Sequence, residues 1–208
     1  PTGTGAPPRV LVIGLGKRDE FDAERARVAA ALALRQAARY EVEALAWEVP
    51  GGEVATACAV AGATILAAYR FDRLKSKPDP DGAKAPQALL LHGVEEAGRD
   101  AAELVRVAAA TAHGANRARD LQSLPANIAD PEYLAERAWA IARDHSAVSA
   151  EILGAAEISE LGMGGLESVG AGSAKDPMLI VLRYEPEGVA GETLGIIGKA
   201  VTFDTGGI

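Results

Sequence analysis

The sequence has 208 residues, room for one domain or two small ones, with 49% hydrophobic residues, 4% aromatics and one cysteine. A formal net charge of −8 argues against nucleic-acid binding, which rests on a basic face for phosphate. The lone Cys58 excludes an internal disulfide and reads as a small buried hydrophobe. Residues 10–13, Val-Leu-Val-Ile, form a short apolar run that predicts a strand buried on both faces, as in a parallel sheet. Asp22 can cap a helix running to about Arg39, with Val28, Leu32 and residues 35–38 on its apolar side. Residues 41–47 predict a second strand and residues 54–70 a second helix. The greasy stretch 55–68 is too short for a bilayer span of about 20 residues and reads as a buried helix. Three prolines and several charges make 75–86 a loop. Residues 88–92, Ala-Leu-Leu-Leu-His, predict another buried strand.

A long helical pattern follows over 95–121, where Leu104, Val107, Ala108 and Thr111 recur at helical spacing. It exceeds the mean helix of about 11–12 residues, which suits a connector between two domains, and Pro125 stops it. Asp130-Pro131-Glu132 is a helix start with a capping carboxylate, proline at the first helical position and an acid in the first turn; that helix runs to about His145. The remainder reads as β-rich. Strands are predicted at 148–153, 178–184 and 194–197, with a short helix at 157–161. Strands alternating with helices indicate an α/β layer fold.

Few residues point to chemistry. Gly14-Leu15-Gly16-Lys17-Arg18 follows a strand but fits neither phosphate-binding glycine spacing, so it reads as a turn. His92, His113 and His145 are isolated in sequence, with no H-E-x-x-H pair. Arg25, Arg27, Arg35 and Arg39 lie among acids and read as a solvated helix face. The glycine clusters 162–165 and 170–173 mark tight turns or close backbone approach. The informative segment is 198–207, Gly-Lys-Ala-Val-Thr-Phe-Asp-Thr-Gly-Gly, where a strand leads into a polar, glycine-rich turn, a common place for active-site groups. Lys199 and Asp204 are five residues apart, so a regular strand would point them to opposite faces. For both to grip one ion, the backbone must bend between Ala200 and Phe203.

This segment closely resembles the metal-binding signature of the leucyl (cytosol) aminopeptidase family, with Ala200 where that family usually has glycine. Other stretches agree. Residues 10–18 look like the family's N-terminal strand and turn, and Tyr69-Arg70-Phe71-Asp72-Arg73-Leu74-Lys75 looks like a family segment. Residues 119–134 resemble the opening of its catalytic domain, and 161–173 the stretch before its central strand. The resemblance implies an incomplete macro-like α/β domain over 1–97, a connecting helix over 98–121, and the first part of an α/β catalytic domain with a mixed sheet over 122–208. It implies a metallopeptidase that removes N-terminal residues, often leucine, from peptides with two divalent ions (manganese, zinc or magnesium). Lys199 and Asp204 would be metal ligands. The remaining carboxylate ligands, the catalytic lysine and the arginine that holds a bicarbonate base would lie beyond Ile208, so no catalytic residue is expected within the chain. Both ends read as cut, and the chain alone is expected to be inactive. The family also implies a cytoplasmic homo-hexamer with no membrane or nucleic-acid partner. The alternatives are a DNA-binding role, disfavoured by the charge, and a regulatory or assembly role of the same fold.

Overall fold

The computed structural model describes residues 9–77, 84–94 and 98–203. The fold is α/β, and the chain divides into two compact units, Pro1–Asp120 and Leu121–Ile208.

The first unit is built on a pair of helices against a two-stranded parallel sheet. Helix α1 spans Ala23–Arg39, and the Asp22 side chain accepts from the Arg25 N–H at 2.8 Å, the expected cap. Its buried face is Ala26, Ala29, Ala30, Ala33, Leu34 and Ala37. Val28 and Leu32, expected on that face, are about half exposed. The alanine stripe wins because helix axes can approach closely only where the facing side chains are small. Facing it is α2, Val54–Ala67, buried on nearly every side by Thr56, Ala57, Ala59, Val60, Ala61, Ala63 and Thr64. A helix apolar all round must be enclosed, and of its two buried threonines Thr64 donates its hydroxyl to the Val60 carbonyl at 2.7 Å.

Strands β1 (Ala44–Glu48) and β2 (Ala88–His92) pair in parallel, Ala44 opposite Ala88 through Glu48 opposite His92. Both alternate rather than being buried on two faces. Trp47, Leu89 and Leu91 point to the core of Ala26, Ala30, Ala59, Val60 and Ala63. The Pro50-Gly51-Gly52 turn after β1 requires glycine, because Gly52 has φ +64 and a Cβ there would lie 2.6 Å from the Gly93 carbonyl oxygen. Residues 10–13 are a correction. They form no strand, and Val12 is 87% exposed. Among the described residues each sheet has only two strands, so this apolar run has no ladder to join. Part of the 75–86 loop, residues 78–83, lies outside the described residues.

Helix α3 runs Gly98–Ser123; the start expected at residue 95 lies outside the described residues. Its buried positions are Ala101 and Ala112, whereas Leu104 and Val107 are half exposed. Its C-terminal half supplies what α2 lacks. Helix α2 ends at Ala67, short of Arg70, with no basic residue in its last turn. Its orphan carbonyls are instead met from α3. Asn116 Nδ2 donates to Ile65 O at 3.1 Å, and Arg119 Nη1 to Leu66 O at 3.0 Å. The Arg119 guanidinium also lies over the Tyr69 ring, 3.9 Å from its centroid, and the Tyr69 hydroxyl donates to Asp120 at 2.9 Å.

In the second unit Asp130 caps α4, Pro131–Asp144, by accepting from the Tyr133 N–H at 2.9 Å. Ala135 and Ala138 are its buried positions, and it packs on β3 (Val148–Leu153) and β4 (Leu179–Tyr184). These strands are antiparallel, Val148 opposite Tyr184 through Leu153 opposite Leu179. Between them lie α5, Ala155–Glu160, anchored by the fully buried Ile158, and α6, Gly164–Gly170. The β-rich expectation for this part is therefore corrected. The glycines at 164 and 165, expected in a turn, open a helix. The strand expected at 194–197 is absent: residues 185–203 contain no strand, and Ile197 is 99% exposed. With no hydrogen-bonded neighbour, β-propensity alone does not make a strand.

Candidate metal centre

Lys199 sits in the irregular stretch that follows β4, exposed, between the equally exposed Gly198 and Ala200. The backbone bends at Thr202, inside the interval where a turn was expected, and Thr202 is partly buried while Phe203 is 72% exposed. Asp204 and residues 205–208 lie outside the described residues. Among the described residues, no three or more His, Cys, Asp or Glu side chains gather in a way that could hold a metal ion. His92 ends β2, His113 is exposed on α3, and His145 follows α4 as its cap residue. Cys58 is half buried, and burial pushes its thiol up, as for an inert structural cysteine.

Segments singled out in the sequence take part in two structural knots. Residues 69–75 and 119–121 join through the Tyr69, Arg119 and Asp120 contacts. Residues 130–134 meet Lys175, two positions past the 170–173 cluster; its ammonium lies 2.8 Å from Glu132 Oε2 and 3.3 Å from Asp130 Oδ2. The Tyr133 N–H, and after it Lys175, hold the Asp130 carboxyl below its ordinary value, and the two acids raise the Lys175 ammonium in turn. Gly170 leaves no room for a side chain: a Cβ there would meet the Pro177 ring at 2.8 Å. Residues 43 to 51 positions apart in sequence make these links, so local spacing held no signal for them. A further ion pair inside the first unit, Asp72 with Lys75 and Arg70, holds the Asp72 carboxyl low.

Comparison with known proteins agrees along the chain. A family model described as the cytosol aminopeptidase family, N-terminal domain, matches residues 1–78, and one described as its catalytic domain matches residues 116–208. A probable cytosol aminopeptidase of Roseiflexus castenholzii is 37% identical over 100% of this chain and 43% of its own length. One from Halorhodospira halophila is 40% identical over 96% of this chain and 41% of its own length. Among solved structures, a mutant tomato leucine aminopeptidase superposes with a TM-score of 0.81 at 26% identity, over 93% of this chain and 39% of that one. The bottromycin maturation enzyme BotP in complex with Mn superposes with a TM-score of 0.70 at 26% identity, over 84% and 36%. The chain therefore spans about two fifths of the length of these relatives.

Proposed function

Because the chain belongs to the cytosol aminopeptidase family, we propose that it serves a metal-dependent aminopeptidase that releases N-terminal amino acids, leucine preferred, from peptides. In this reading residues 1–97 are the N-terminal domain, 98–121 the connecting helix and 122–208 the start of the catalytic domain. Lys199 through its amine and Asp204 through its carboxylate would hold the metals. The group these residues would hold is two divalent cations, manganese or zinc, with magnesium as a third option, and its chemistry would be Lewis-acid polarisation of the scissile carbonyl and activation of water. Lys199 stands exposed on a chain that bends at Thr202, which suits a ligand awaiting partners from outside the described residues. The full enzyme works as a cytoplasmic homo-hexamer. No described helix is long and apolar enough to cross a membrane.

The observation that carries the proposal is the catalytic-domain match over 116–208, which closes on the segment holding Lys199 and Asp204. Two ligand side chains do not hold a metal pair tightly, so the 208-residue chain by itself is inactive. Purified alone with manganese or zinc, it should release no p-nitroaniline from leucine p-nitroanilide; metal-dependent release would refute this part of the reading. The positive test joins residues 1–208 to the remaining part of the Halorhodospira halophila relative. The joined protein should hydrolyse leucine p-nitroanilide and lose activity to a chelator. Lys199→Ala and Asp204→Ala should each lower kcat by about 100-fold or more, since a metal contributes several kcal/mol to the transition state, and should lower the metal bound per chain. Full metal content and full activity in both variants would sink the assignment of these ligands. A folded, metal-loaded protein that cleaves no N-terminal residue would sink the activity.

A further inference from the structure

We draw no further inference here: the strongest candidate, the cavity of about 530 Å³ between β1, β2, α2 and α3 in the first unit, lined by Leu45, Leu89, Leu91, Thr64, His113 and Asn116, carries nothing because the buried Thr64 hydroxyl on its wall already donates to the Val60 carbonyl and nothing in the structure shows what covers its open side.

Discussion

Helix α2 and the stretch 189–203 are both strongly apolar, yet α2 is sealed and the later stretch is open. Val60 in α2 is wholly buried, with Ala57, Ala59 and Ala61 beside it, whereas Leu194, Ile196, Ile197 and Phe203 are nearly all in solvent. The two segments do not differ in greasiness so much as in what surrounds them. Helix α2 has α1 along its length, the inner face of β1 and β2 below, and side chains of α3 on its last carbonyls. Residues 189–203 have none of these among the described residues. Apolar sequence is a demand for cover; burial is the answer given by neighbours, and each buried side chain is worth about 1.5–3 kcal/mol only once it is given.

The contrast can be tested from its strongest side to its weakest. Val60→Asp places an unpaired charge where no water reaches, and should destabilise the first unit by about 3 kcal/mol or more, read as a lower midpoint in urea denaturation. A midpoint within error of the parent would mean that α2 is not enclosed. Arg119→Ala removes the hydrogen bond to the Leu66 carbonyl, one to Asn116 Oδ1 within α3, and the contact with the Tyr69 ring, at a cost of about 1–2 kcal/mol. Arg119→Lys should recover only part of it, since an ammonium lacks the planar fork; equal recovery would show that charge alone matters. Asp130→Ala should have a smaller effect, and one that depends on pH. The Asp130 carboxyl sits below its ordinary value of 3.8 in the folded chain, so its contribution is complete above that value and fades as pH falls through the lower folded-state value. The gap between parent and variant should narrow as pH falls below 3.8, and a gap that stays constant would remove the carboxylate from the account. At the weak end, Ile197→Ser should shift the unfolding midpoint of the 208-residue chain by less than about 0.5 kcal/mol, because the side chain is already 99% exposed. A larger loss would reveal cover over 189–203.

Much of the fold was legible where local physics is decisive. Asp22 and Asp130 cap the helices expected of them, because a carboxylate followed by a helical run satisfies orphan N–H groups within three residues. Strands stand at 88–92, an apolar run, and at 148–153, as expected, although 88–92 alternates rather than being buried on both faces. The errors cluster where a pattern needed a partner. Residues 10–13 and 194–197 carry strand-like sequences without a ladder. In α1 and α3 the large side chains at Val28, Leu32, Leu104 and Val107 drew attention away from the alanines that face the core. At the candidate site, Lys199 and Asp204 rest on resemblance alone, and a bend stands at Thr202, within the interval that their odd spacing marked. The Lys175 bridge and the Arg119 cap, both made across more than 40 residues, were not legible in the sequence.

What the sequence by itself determined is the succession of helices α1 to α5, the caps that start α1 and α4, and membership in the cytosol aminopeptidase family, since each rests on neighbouring residues or on a contiguous motif. Which face of each helix is buried, which apolar runs become strands, and which distant side chains close the ends of α2 and the start of α4 were decided only by the tertiary structure. Those outcomes depend on how closely backbones can approach and on whether a hydrogen-bonding neighbour is present, and neither is a property of a residue or its immediate surroundings along the chain.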